Sequence, residues 1–159
     1  MRKYTLSKSA SNEIMEFVTK KWPTNVLPQK LKSMQIVELE ENQCLLIGEN
    51  FFAVKIDKTI LPLLTNEEAL KSFPSVRVDT GAIRFICNGA KVMRPGIVSM
   101  DEYSKEDIVV VKDEKYGKYL AVGVALVASK EADGMNKGPV IDSMHYVSDK
   151  FWNVSKENK

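Results

Sequence analysis

Apolar side chains fall at Ala10, Ile14, Phe17, Val18 and Trp22. That spacing lines one face of a helix, with polar and charged residues on the other. The stretch from Ser9 to Trp22 is therefore predicted helical, with serines before it as N-caps and Pro23 as its stop, because proline lacks the amide that the next turn needs. The pattern then changes period. Residues 34–39, 44–47 and 51–56 are short apolar-rich runs separated by Glu40-Glu41-Asn42 and Gly48-Glu49-Asn50. Three short strands joined by tight turns predict an antiparallel meander. Thr65 stands three residues before Glu68, the spacing of a capping box, which predicts a short helix over 66–72 closed by Pro74.

Pro74-Ser75 divides the chain into residues 1–74 and residues 75–159. Behind it a strand opens over 76–78. Asp79 or Thr80 then caps a helix running to about Asn88, and Gly89 suits the left-handed position that ends a helix. Residues 92–93, 97–98, 108–111 and 119–127 read as strands, with a hairpin turn over 113–118 that contains Gly117. The last two strands are expected at 145–147 and 151–154, joined by the turn Ser148-Asp149-Lys150. Many short strands around one small helix predict a closed, barrel-like sheet, since closure removes exposed edges. The expected fold class is α+β: an N-terminal α+β domain, then a small C-terminal β-barrel domain.

Composition narrows the chemistry. The chain has 159 residues, 44% of them apolar and 28% charged, with a net charge of +2. It can bury a real core, and any surface for a polyanion has to be a local patch. Such a patch exists: residues 77–94 hold four basic side chains and one acidic, whereas residues 99–114 hold two basic and six acidic. The two cysteines, Cys44 and Cys87, lie far apart, and His145 is the single histidine. A disulfide framework, a structural zinc site or a histidine-based triad needs more partners than these. The paired carboxylates Asp101-Glu102 and Glu106-Asp107 sit on a polar loop, where solvated charge is expected rather than acid–base work. No phosphate loop, dinucleotide fingerprint or HExxH motif occurs. The expectation is a non-enzyme without cofactor or metal. No apolar run approaches the roughly 20 residues that span a bilayer, so a soluble, cytoplasmic protein is expected.

The runs Val78-Asp79-Thr80-Gly81-Ala82-Ile83-Arg84-Phe85 and Asn88-Gly89-Ala90-Lys91-Val92-Met93-Arg94-Pro95-Gly96-Ile97 resemble the opening of a PUA domain, named for pseudouridine synthase and archaeosine transglycosylase. Ala121-Val122-Gly123-Val124-Ala125 resembles its central strand. Asn136-Lys137-Gly138, with His145-Tyr146 and Phe151-Trp152, resembles its closing segment. Together with the first half, the chain resembles the malignant T-cell amplified sequence proteins. The resemblance implies a PUA-like pseudo-barrel that holds RNA, and a role in placing or releasing tRNA on the small ribosomal subunit. Eukaryotic members of that family work with a density-regulated partner protein, so the N-terminal half is a candidate contact for a protein partner or the ribosome. An RNA-targeting accessory, acting in trans with an RNA-modification enzyme, is the alternative.

The expected RNA groove lies beside the short helix. Gly89 and Ala90 carry almost no side chain, so RNA could approach the main chain closely and free amides there could meet phosphate oxygens. Arg84, Lys91 and Arg94 flank that turn, and Lys137 and Lys150 are further candidates for contact with tRNA or rRNA.

Overall fold

The computed structural model describes residues 2–28 and 34–157. The first half contains β1 (Arg2–Thr5), α1 (Lys8–Lys21), β2 (Gln35–Glu40), β3 (Gln43–Gly48), β4 (Phe51–Ile56), β5 (Thr59–Pro62) and α2 (Glu67–Leu70). The strands form one antiparallel sheet in the order β1-β2-β3-β4-β5, with Leu45 opposite both Val37 and Val54. The predicted meander is its centre. β1 and β5 add an edge on each side, and each is four residues long, too short to show a period. The Ser7 hydroxyl caps α1 by accepting the Ala10 amide at 3.1 Å. Trp22 ends the helix, and its indole N–H donates to the Ile60 carbonyl at 2.9 Å. Its ring packs against Phe51 and Phe73, at centroid distances of 5.2 and 5.4 Å. Phe51 is buried while its neighbour Phe52 faces outward, as strand alternation requires. The capping box at Thr65 does not form: α2 begins after Asn66, with no side-chain cap.

The second half contains β6 (Ser75–Val78), α3 (Thr80–Ile86), β7 (Val92–Met93), β8 (Ile97–Met100), β9 (Ile108–Asp113), β10 (Tyr119–Ala125), α4 (Ser129–Asp133), β11 (Pro139–Tyr146) and α5 (Lys150–Glu157). Its strands run β7-β11-β10-β9-β6-β8, antiparallel except for the parallel pair β6–β9. The centre of this sheet, β9 and β10, is covered on both faces. Val109 and Val111 turn to a core shared with Ile86 of α3 and Ala132 of α4, whereas Ile108 and Val110 join a core that includes Trp22 and Phe51. A strand wet on neither face has no polar positions to alternate, hence the unbroken Ile108-Val109-Val110-Val111 run. Gly123 in β10 is fixed by the neighbouring strand, because a Cβ there would stand 2.0 Å from the Asp142 carbonyl oxygen.

Residues 151–154, expected as a strand, lie in helix α5. The reason is Asp149. Its carboxylate accepts the Trp152 amide at 2.8 Å and its carbonyl accepts the Asn153 amide at 3.0 Å, so the supposed turn is a helix N-cap. α5 leaves the second sheet and sets Phe151 among Val37, Leu45, Val54 and Leu63 of the first half. Lys150 reinforces this, its ammonium 2.9 Å from Glu40 Oε2.

His145 forms the second link between the halves. It is fully buried on β11. The Leu64 amide donates to its Nε2 at 3.1 Å, so Nδ1 carries the proton and donates to Asp149 Oδ2 at 2.8 Å. The histidine is structural, and one ring ties β5's exit, β11 and the α5 cap together.

The entry to the second half is held by Asp101, which accepts the Ser75 amide at 2.8 Å and the Arg77 guanidinium at 2.9 Å. Burial alone would raise the Asp101 carboxyl. The hydrogen bonds from Arg77 and Ser75 outweigh that and hold it below the usual carboxylate range. A depressed folded-state value means that the stabilisation is complete above the unfolded pKa, about 4, and is lost as pH falls through the folded one. Asp101→Asn should therefore cost stability at neutral pH and nearly nothing in strong acid, as read by urea denaturation at the two pH values. An equal cost at both would exclude the ionic contribution.

Candidate nucleic-acid interface

The ledge is built by the end of α3. Asp79 caps the helix by accepting the Ala82 amide at 3.0 Å, and Ile86 anchors it in the core. At its other end Gly89 is left-handed, φ +94°. The Gly89 amide donates to Ile86 and the Ala90 amide to Phe85, both at 3.0 Å. This paired closure is a Schellman motif, and it corrects one expectation: the amides of Gly89 and Ala90 are consumed inside the turn and do not point at a ligand. What the turn offers is smoothness. Residues 88–91 are all exposed, and Tyr146 props the bend from beneath, its hydroxyl 3.2 Å from where a Gly89 Cβ would stand.

The cations divide into two groups. Arg84, Lys91 and Lys137 are exposed, and none has an ion-pair partner among the described residues. Lys137 is brought near the ledge because the neighbouring Gly138 carbonyl accepts the Arg94 amide at 2.8 Å and Pro139 pairs with Met93 of β7. Arg94 and Lys150 are occupied. Arg94 is half-buried, with Nε donating to the Ala132 carbonyl at 2.6 Å and Nη1 to the Ile97 carbonyl at 3.2 Å; it staples the strand behind the ledge to α4. Lys150 holds Glu40, as described. Arg77, counted in the basic segment, is spent on Asp101 of the acidic one. Summing charge along the sequence thus overstated the field, because pairing across the sheet is invisible to it.

Sequence reasoning also passed over Phe85 and Met93. Both are among the large apolar side chains left in water, at 55% and 47% exposure, and the Arg84 guanidinium lies over the Phe85 ring, 4.8 Å from its centroid. The available signal was helical phase: Ala82, Ile83 and Ile86 fill α3's inner face, so Phe85 is apolar on the wrong side.

Other features offer less. A cleft of about 1120 Å³ opens between α1 and the first sheet, past Leu6, Phe17, Glu38 and Lys55. Its Tyr4 hydroxyl donates to Glu38 at 2.8 Å, and that bond, followed by burial, raises the tyrosine's pKa. Burial likewise pushes up the thiols of Cys44 and Cys87, both unpaired, which makes them poor nucleophiles at neutral pH. Among the described residues no three metal-binding side chains come together, and no helix is long and apolar enough to cross a membrane.

Residues 74–147 match the PUA domain family, and the sheet of the second half has that fold, nearly closed. This is a PUA-domain protein, and the ledge lies within the matched region. The chain is 42% identical over 132 residues to an uncharacterised protein of Methanocaldococcus jannaschii, covering 80% of each. It is 34% identical over 140 residues to translation machinery-associated protein 20 of Schizosaccharomyces pombe, covering 83% of this chain and 77% of that one. It is 30% identical over 143 residues to malignant T-cell-amplified sequence 2 of Mus musculus, covering 84% and 77%. The chain belongs to this family of translation machinery-associated and malignant T-cell-amplified sequence proteins. Among solved structures, a hypothetical protein of Pyrococcus horikoshii aligns with a TM-score of 0.79 and 32% identity, over 96% of this chain and 99% of that one. A chain of an H/ACA ribonucleoprotein bound to a substrate RNA aligns at 0.50 and 25%, over 67% of this chain and 31% of that one.

Proposed function

We propose that this protein is a non-enzymatic RNA-binding factor of the translation apparatus, working in the cytoplasm and holding tRNA or another structured RNA on the ledge of residues 75–159. The observation that carries the reading is the group of unpaired, exposed cations Arg84, Lys91 and Lys137 around a side-chain-poor turn in the matched domain. Gly89 and Ala90 let the RNA backbone come close. Arg94 acts from behind by shaping the ledge, and Lys150 by fixing α5. Residues 1–74, with their open cleft beside α1, supply the contact to the small ribosomal subunit or to a protein partner.

A second reading, an RNA-targeting accessory to a modification enzyme, draws on the likeness to the H/ACA ribonucleoprotein chain. Affinity purification from cells followed by gradient sedimentation separates the two. Co-migration with small ribosomal subunits, sensitive to salt, is the expected result. Co-migration with a modification enzyme and no ribosomal material would establish the alternative.

A further inference from the structure

The hairpin turn between β9 and β10 is tied down more firmly than a surface turn has to be. Asp113 is buried, and its carboxylate oxygens accept the Lys115 amide at 3.0 Å and the Tyr116 amide at 3.2 Å. Its carbonyl accepts the Gly117 amide at 2.8 Å, and its own amide donates to the Lys118 carbonyl at 2.9 Å. The Glu114 amide donates to the Val78 carbonyl at 3.0 Å, which seats the turn beside the Asp79 cap at the start of α3. The Gly89 bend follows the other end of that helix, so roughly 10 Å of helix separates the two places.

This fixed turn presents side chains that the core does not use. Tyr116 is the most exposed large apolar side chain among the described residues, at 70%. Single exposed apolar residues are common, but this one stands among cations. The Lys115 ammonium lies 5.2 Å from the centroid of its ring, and the Lys112 ammonium lies 5.2 Å from that of Tyr119. Lys115 and Lys118 are exposed, Lys112 is half-buried, and none of the three has an ion-pair partner among the described residues. Glu114 is the one exposed acidic side chain of the turn. The tip is unobstructed: nothing stands within 4 Å of where a Gly117 Cβ would be. A lysine offers phosphate a point charge, and a tyrosine hydroxyl donates to the same oxygens. No arginine lies on this turn to fork onto a base edge.

We infer that the turn of residues 113–118 is a second RNA-contacting surface, which grips the sugar–phosphate backbone of a double-helical segment through Lys115, Lys118 and the Tyr116 hydroxyl. This rests on the RNA-binding reading above and adds a contact outside the ledge. Double-stranded RNA is recognised by its shape and its backbone, and a rigid, protruding, cationic turn meets both requirements without reading a sequence.

The test measures the affinity of the full chain for a blunt-ended RNA hairpin over a range of salt concentrations. Lys115→Ala should lower the slope of log affinity against log salt by about 0.7 to 0.9, the share of one phosphate contact. Tyr116→Phe should weaken binding about fivefold, the share of one hydrogen bond, and leave the slope unchanged because the hydroxyl is neutral. Lys115→Ala added to Arg84→Ala and Lys91→Ala should lower the slope again by the same amount, since the two places do not touch. All these side chains are exposed, so the variants should fold, which thermal melting checks. If Lys115→Ala and Tyr116→Phe bind as wild type does while Arg84→Ala with Lys91→Ala does not, the turn is no RNA surface and the ledge stands. If Tyr116→Ala weakens binding and Tyr116→Phe does not, the ring stacks on a base and the backbone contact is wrong. Loss of only a protein partner from cell extracts by the turn variants equally overturns it. Wild-type binding to a hairpin with a single-stranded tail but not to the blunt one would remove the duplex contact, and binding to neither would remove the RNA reading itself.

Discussion

Replacing His145 with alanine is expected to lower unfolding stability by about 4 kcal/mol, a loss reserved for buried networks and cavities. Three effects add. The buried ring leaves a void. The Leu64 amide, which donates to Nε2 at 3.1 Å, is orphaned, at a cost of about 1–3 kcal/mol for an unsatisfied buried donor. The Asp149 carboxylate loses its partner at 2.8 Å, a charge-assisted bond worth about 1.5–3 kcal/mol. Asp149 still accepts the Tyr146 and Trp152 amides, so the α5 cap itself should survive. His145→Asn can keep a donor toward Asp149 but cannot reach Leu64, and should recover part of the loss. Urea denaturation measures both variants. A cost below about 1 kcal/mol for the alanine variant, ordinary for a surface substitution, would show that the histidine does not join the halves.

The largest effect on binding is expected from Arg84→Ala combined with Lys91→Ala. These exposed cations have no ion-pair partner among the described residues, so removing them should leave the fold intact while fewer counterions are released on RNA binding. The slope of log affinity against log salt should fall by about 1.4 to 1.8 for two lost phosphate contacts, with a clear loss of affinity at low salt. Arg94→Ala provides the contrast. Its guanidinium is bound to two carbonyls, so it should change melting temperature more than salt slope. An unchanged slope in the double variant would remove the ledge as the RNA surface.

The helix α3 and the turn that follows it were readable from residues 78–97 because their features are local. Asp79 caps within its own turn, Gly89 ends its own helix, and the Gly89-Ala90 turn is exposed simply because it leaves the helix at the surface. Helix α1 was readable for the same reason, with five apolar residues in phase and Pro23 at the end. β1, β5 and α4 were missed because each has four or five residues, fewer than a period needs to declare itself. The strand expected at 151–154 was misread because Ser148-Asp149-Lys150 serves equally as a turn and as a helix cap.

Local chemistry thus settled which segments turn, where helices start and stop, and where small residues clear a surface. Partner choice was settled by the folded chain. Arg77 meets Asp101, Arg94 meets Ala132 and Ile97, Lys150 meets Glu40, and Leu64 meets His145. Most of these pairs are separated by tens of positions, and the hydrogen-bonding capacity of an arginine or a histidine is identical whether its partner is water or a carbonyl. Only after the sheets pack does geometry decide which of these cations are consumed inside the protein and which stay exposed.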